Sequence, residues 1–573
     1  MPEAAKKKRK GSAFWLSFLA IVVSTFLSAL DLTAVSTALP TITHDLHGAD
    51  NFVWIGSAYG LASTAILPLS GCLADIFGRK PIMLISIIFF SLGGALSGAA
   101  QNMHMLIAAR TVQGIGGGGI LNLAEIITSD LVPLAERGVY QGMLGLTWSL
   151  ASGIGPPLVC FLAWLFFVNL PLTGIAFGLV ILFLHVRAPE GAVRAKLARV
   201  DWFGNLIVIA GTTLAIIGLT WGGIHYPWDS VHVLAPLIIG LFLICIFFIY
   251  ERKIPSEPTI PWEVVNNRTS LGGYFGTAVH GIVSASLIFY LPVYFQASLG
   301  ASPVQSAVDM LATALCISAF ALMAGIVVSV TKKYRPVNGL AWVLIIIGFG
   351  LLSLLRADSS VGQWVGYQIV AAAGIGILVS AHIGCSEETD IEVAMQFSAA
   401  VFAILAPLPV SRTAGALAFF AFIRTFAQTW GLTISSAILQ NELKKRLPID
   451  FVAQFPQGLE IAYAAIPQIP SLPEPLRSEV QAAFATSMSA VWKTMIGISG
   501  LGFFSVFLLK EIPMNRETDE RFGLHDTKRR AVDEKQADVE EQAKEGSEDI
   551  VETPRTEFYD ASRCVLAAIV MVF

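Results

Sequence analysis

The chain has 573 residues, of which 55% are hydrophobic and only 14% charged, with a formal net charge of −4 and a mean hydropathy of +0.68. Soluble domains average about 45–50% apolar and about 25% charged residues, so this composition excludes a charge-coated globule, and the net charge excludes a broad basic face for nucleic acid. Residues 516–560 hold 15 acidic and 8 basic side chains, so the rest is still poorer in charge and reads as an all-α polytopic membrane protein with an acidic tail.

A spanning helix needs about 20 apolar residues. Runs of that kind cover 13–36, 53–74, 82–100, 105–128, 140–160, 162–186, 203–221, 233–250, 271–295, 306–330, 338–355, 363–383, 414–438 and 487–509, which makes fourteen spans. The first run is too long for a signal-peptide core and is followed at once by another span, so it is not a cleavable leader.

Lys6–Lys10 precede span 1, Arg79 and Lys80 follow span 2, and Arg137 follows span 4. Arg187 to Arg199, Arg252 to Arg268 and Lys332 to Arg335 follow spans 6, 8 and 10, whereas the loops near 37–51, 101–104, 222–232 and 296–305 carry no Lys or Arg. The positive-inside rule then puts both termini in the cytosol. The basic run 6–10 also resembles a nuclear import signal, a reading the apolar chain outweighs.

Span 2, the turn at 78–81 and span 3 are echoed by span 10, the turn at 334–336 and span 11. Repeated halves with a midplane site are a transporter architecture. The expected organisation is a basic cytosolic N-terminus (1–12), an N-terminal six-helix bundle (13–186), and a linker with two inserted helices (187–250). A C-terminal six-helix bundle (251–510) follows, with a long non-cytosolic loop at 439–486, and then an acidic, disordered cytosolic tail (511–573). Spans 5 and 6 are joined with scarcely any loop after Pro157. Four acids, Glu387, Glu388, Asp390 and Glu392, interrupt the apolar stretch after span 12. The following 397–410 reads as re-entrant or as a continuation of that span.

Asp31 lies inside span 1, where a carboxylate costs roughly 2.5–3.5 kcal/mol at the centre of a spanning helix. It must face a wet cavity, pair with a cation, or take up a proton, and burial favours the neutral acid that a proton carrier needs. A static Asp fixed by Arg or backbone groups is the alternative. Arg110, in span 4, is a fixed charge that needs an acceptor. Gln113 and the glycine run 114–119 follow it, and the glycines permit close helix approach. Asp31 and Arg110 are a plausible switching pair. Gly71, Asp75, Gly78, Arg79 and Lys80 join spans 2 and 3 as a charged latch at the cytosolic surface, with a plain solvated turn as the alternative. Further candidates for the cavity or substrate are Gln113, His280, Tyr290, Gln296, Arg424 and Gln428. Arg424 requires a partner, and a structural, hydrogen-bonded His280 is an equal alternative to a proton or substrate contact.

No phosphate-binding loop, Cys-x-x-Cys or His/Cys cluster is present, and the six cysteines lie mostly in apolar runs as small hydrophobes, so no cofactor or metal is expected. No nucleophile–base pair suggests an enzyme.

These motifs resemble those of the major facilitator superfamily, and more narrowly its 14-spanner drug:proton antiporter group of fungal type. Residues 71–80 (GCLADIFGRK) are similar to the loop 2–3 signature, 30–42 (LDLTAVSTALPTI) to the helix-1 signature, and 110–119 (RTVQGIGGGG) to the helix-4 signature. Residues 201–204 and 291–296 add to the likeness. The resemblance implies two pseudo-symmetric six-helix bundles plus two inserted helices, alternating access by rocking, and coupling to protons through Asp31 and Arg110. The helix-5 antiporter motif is represented by Gly142, Gly155 and Pro156, but Ala151 and Val159-Cys160 stand where glycines are expected. The segment between spans 5 and 6 looks shortened, and 381–398 looks inserted.

The resulting expectation is a proton-coupled exporter of small amphipathic organic molecules. It would act as a monomer in the lipid bilayer, in the plasma membrane or alternatively the vacuolar membrane, with protons and a small-molecule substrate as partners and no nucleic acid. Two alternatives stay open: a proton-coupled importer of an iron chelate or amino acid, and a non-transporting sensor signalling through the acidic tail.

Overall fold

The computed structural model describes residues 11–46, 53–132, 165–379 and 412–510, apart from a few single positions and 455–460, together with scattered positions between 140 and 154 and between 404 and 408. Among the described residues the chain is helical and forms no strand. In chain order the long helices are α1 (Ser12–Asp45), α2 (Val53–Phe77), α3 (Arg79–Gly98), α4 (Met103–Leu131), α5 (Leu165–Phe183), α6 (Trp202–Trp221), α7 (Val231–Lys253) and α8 (Arg268–Ala297). They continue with α10 (Leu311–Thr331), which the short α9 (Pro303–Asp309) precedes, and with α11 (Arg335–Leu352), α12 (Val361–Val379), α13 (Thr413–Arg446) and α14 (Leu476–Leu508).

Polar side chains mark several helix starts. Asn102 accepts from the Met105 amide at 2.9 Å, Asp201 from Gly204 at 2.9 Å, and Asn267 from Thr269 at 2.8 Å. Each such cap contributes about 1 kcal/mol by satisfying an otherwise orphaned amide. Prolines at 68, 236 and 292 lie inside α2, α7 and α8, which neighbouring helices tolerate within a bilayer.

Among the described residues twelve helices are long and apolar enough to cross a membrane, against the fourteen spans expected of the whole chain. The span 105–128 forms the 29-residue α4, but its glycine run and its polar residues Arg110, Asn122, Glu125 and Asp130 keep it out of the twelve. The span 140–160 lies largely outside the described residues, as do 381–403 and the tail 511–573. The span at 306–330 is divided between α9 and α10 at Met310. The expected loop 439–486 is shorter in the structure. α13 continues to Arg446 and α14 begins at Leu476, because helix propagation carries on through polar residues that hydropathy alone ends.

Helices α1 to α5 pack chiefly on one another, through α3 on α4, α2 on α4, and α5 on α1 and α3. Helices α8 and α10 to α14 form a second set, in which α8 packs on α13 and α14, and α12 on α10 and α11. α6 and α7 pair together, and α6 leans on α2. The two sets meet where α13 packs on α2 and α4. Their outer faces remain apolar: Leu182, Phe242 and Phe504 are 62%, 64% and 63% exposed, as suits a surface solvated by hydrocarbon.

Two close approaches depend on glycine. A Cβ on Gly118 would lie 2.6 Å from the Ser63 carbonyl, and one on Gly114 would meet the Tyr59 carbonyl, so the glycine run lets α4 touch the backbone of α2. A Cβ on Gly71 would lie 2.7 Å from the Ala418 Cβ, which draws α2 against α13 between the two sets.

Candidate functional site

Asp31 is 2% exposed and Arg110 1% exposed. The Arg110 Nη1 donates to Asp31 Oδ2 at 2.5 Å. The other carboxylate oxygen, Oδ1, accepts from Gln113 Nε2 and from Asn169 Nδ2, each at 2.9 Å. The guanidinium also donates to Gln113 Oε1 at 2.8 Å and to the Ile55 carbonyl at 3.3 Å, and its Cζ lies 4.6 Å from the Tyr59 ring centroid. One carboxylate therefore joins α1, α4 and α5, while its counter-ion reaches α2. Sequence reasoning paired Asp31 with Arg110 and singled out Gln113, but it missed Asn169 and Tyr59. The signal for Asn169 was present: it is a lone amide in the apolar run 165–172.

With Asp31 ionised, each of its oxygens holds donors and the buried Arg110 is neutralised. A proton placed on Oδ2 would set a donor against a donor and force the guanidinium onto its remaining acceptors. Breaking a buried ion pair by removing one partner costs about 3–5 kcal/mol.

The latch residues also come together. Gly78 has φ 97°, a conformation that favours glycine and turns the chain sharply from α2 into α3. Arg79, 1% exposed, donates through Nη1 to Asp75 Oδ1 at 2.7 Å and to the Ala74 carbonyl at 2.8 Å. Its Nε donates to Asp130 Oδ2 at 2.7 Å. Asp130, at the end of α4 and 4% exposed, was not anticipated. It makes the junction a three-helix clamp where the motif alone suggested a latch between Asp75 and Arg79. Lys80 Nζ donates to the Ile181 carbonyl at 2.8 Å, near the end of α5.

Arg424 acquires the partner the sequence could not name. Its Nη2 donates to Glu125 Oε1 at 3.2 Å, linking α13 to α4 across 299 positions of sequence. Gln428 lies one turn further along α13 and is half-buried, as Arg424 is. His280 is 9% exposed and lines a cavity of about 30 Å³ together with Arg424, Phe420 and Thr277. Tyr290 is packed between α8 and α13, with its hydroxyl donating to the Leu432 carbonyl at 3.1 Å. Gln296 donates to Ser306 Oγ at 3.4 Å, tying the end of α8 to α9. Gly142, Gly155 and Pro156 lie outside the described residues. Among the described residues no group of three His, Cys, Asp or Glu is placed to hold a metal.

The family profile described as "Major Facilitator Superfamily" matches residues 21–389. The chain is 37% identical over 542 residues to "Efflux pump FUS6" of Gibberella moniliformis, covering 92% of each chain. It is 35% identical to "MFS-type efflux pump LUC4" of Fusarium sp., covering 94% of this chain and 93% of that one. Among solved structures, the human organic anion transporter MFSD10 (TETRAN) aligns with a TM-score of 0.51 at 15% identity, over 87% of this chain and 100% of that chain. The POT family transporter PepTSo aligns with a TM-score of 0.52 at 11% identity, over 86% and 96%. With its helical halves, its buried carboxylate–guanidinium pair and these relatives, the chain belongs to the Major Facilitator Superfamily.

Proposed function

We propose that the protein is a proton-coupled exporter of small amphipathic organic molecules. The observation that carries this reading is the Asp31 carboxylate, 2% exposed inside an apolar helix and held by Arg110 at 2.5 Å. The curated relatives FUS6 and LUC4, both called efflux pumps, support export as the direction. In the outward-open state Asp31 takes a proton and substrate leaves. In the inward-open state the proton leaves, Arg110 pairs again with Asp31, and substrate binds. Both termini face the cytosol, the membrane is the plasma membrane, and the working unit is a monomer.

The energetics suffice. One charge gains about 2.3 kcal/mol per 100 mV, and one proton about 1.36 kcal/mol per pH unit. With 100 mV and two pH units, a single proton supplies about 5 kcal/mol, enough for a gradient on the order of 10³-fold.

The test uses inside-out vesicles with an acidic lumen and a panel of anionic, neutral and cationic fluorescent amphiphiles. Wild type accumulates at least one of them in the lumen against its gradient, whereas Asp31→Asn only equilibrates it. Equal pH-driven accumulation by the mutant refutes the assignment of the proton to Asp31, and accumulation that ignores the pH gradient in wild type refutes proton coupling.

A further inference from the structure

Arg110, Arg79 and Arg424 lie among the described helices and differ in how fully they are used. Arg110 is met by Asp31, Gln113, the Ile55 carbonyl and the Tyr59 ring. Arg79 is met by two carboxylates and a carbonyl. Arg424 differs: a single bond to Glu125, at 3.2 Å, is its hydrogen bonding among the described residues. Among the described residues its Nε and Nη1 have no hydrogen-bond partner, and its side chain is 36% exposed. Phe420 lies on the same helix, one turn away, with its ring centroid 5.2 Å from the guanidinium carbon.

The surroundings carry further unspent polarity. Glu125 Oε2 and His280 Nε2 are both buried with no partner among the described residues. His280 and Arg424 line the same cavity, with Phe420, Thr277 and Asn338. A cavity of about 30 Å³ has room for a small polar head group. Leaving buried polar atoms unpaired is costly, and such exceptions call for a ligand, a water or an ion.

The position adds a consequence. Glu125 belongs to the first set of helices and Arg424 to the second, and they meet where α2 and α13 are in contact at Gly71 and Ala418. Any motion that parts the two sets at this end strips Arg424 of its counter-ion. A guanidinium exposed to a partly desolvated cavity then attracts a carboxylate through its planar fork, for which it has the spare donors.

We infer that Arg424, flanked by His280 and Phe420, is the subsite for a carboxylate group of the transported molecule, and that this carboxylate takes the place of Glu125 when the two sets of helices separate. The inference rests on the proposed reading as an exporter and narrows its substrates to acidic amphiphiles. Glu125 is the internal competitor. While the carrier is empty it occupies Arg424 and helps hold this end closed, and a substrate carboxylate replaces it without leaving the cation bare. Phe420 favours an aromatic or conjugated body next to the acid, because its ring stacks beside the guanidinium.

The experiment measures binding to purified full-length protein in lipid nanodiscs. The probes are dansylglycine and its neutral analogue dansylglycinamide, which share a fluorophore and differ in the charged group. Wild type binds the acid about tenfold or more tightly than the amide, the range expected for a hydrogen-bonded charged group. Arg424→Gln brings the two within about twofold of each other. Arg424→Lys, which keeps the cation and the pairing with Glu125, retains part of the preference and separates loss of charge from loss of fold. Glu125→Gln removes the competitor, tightens binding of the acid and leaves the amide unchanged. Equal affinities in wild type, no binding of the acid, or a preference that survives in Arg424→Gln would each overturn the inference. Failure of proton coupling in the vesicle assay leaves this binding preference standing, so the two readings fail separately.

Discussion

Replacing Asp130 by Asn tests whether the latch is a three-helix clamp or a local turn. Arg79 holds two carboxylates at equal distance, 2.7 Å each, but their surroundings differ: the Asp130 side chain is 4% exposed and that of Asp75 is 42% exposed. Removing one partner of a buried pair costs about 3–5 kcal/mol, whereas a pair open to water contributes about 0–1 kcal/mol. The clamp fixes the end of α2, and that end carries Gly71, which meets Ala418 of α13. Loosening it therefore weakens closure between the two sets of helices. If even half of the lower figure, about 1.5 kcal/mol, falls on the closed state, the population open at this end rises about tenfold. The assay is maleimide labelling of a cysteine placed at Ala418, which is 4% exposed in the closed arrangement, in a background with the native cysteines changed to Ser. Asp130→Asn speeds labelling about tenfold and Asp75→Asn by less than about threefold. Equal acceleration by both, or a larger effect at Asp75, refutes the clamp.

Two further predictions follow from the same geometry. Arg110→Lys keeps the charge but loses the fork that reaches Asp31, Gln113 and the Ile55 carbonyl at once. Uptake into acidic-lumen vesicles falls about tenfold or more, and unchanged uptake shows that charge alone is sufficient at this position. Gly118→Val drives a branched side chain into the Ser63 carbonyl, where a Cβ alone would stand at 2.6 Å. An overpacked contact costs about 1–3 kcal/mol, so the Tm in detergent falls, and a wild-type Tm would show that α4 and α2 do not pack this closely.

The sequence exposed the parts of the site in which charge stands against an apolar background. Asp31 and Arg110 are legible because a charge inside a spanning helix must be answered by another. Gly71 to Lys80 are legible because the motif is local, with Asp75 and Arg79 four residues apart on either side of the Gly78 turn. The partners supplied by distant chain segments were not legible. Asp130 follows Arg79 by 51 positions, Asn169 follows Asp31 by 138, and Arg424 follows Glu125 by 299, so neither spacing nor periodicity could pair them. Of the fourteen expected spans, 140–160 lies largely outside the described residues, and 105–128 is the helix α4 even though it is the least apolar of its neighbours. Hydropathy measures side-chain transfer, while α4 is built from glycines and buried polar residues that serve helix contact and the ion pair. The same cause set the ends of α13 and α14, which extend through polar turns beyond the apolar runs.

The proton itself can be observed without knowing the substrate. Infrared difference spectra of the purified protein, labelled with ¹³C-carboxyl aspartate and titrated toward acid, report the carbonyl band of any aspartic acid that becomes neutral in a dry environment. A labelled band that rises in wild type and is missing from Asp31→Asn is the result this account predicts. A band that persists unchanged in Asp31→Asn, or none at all in wild type, contradicts it.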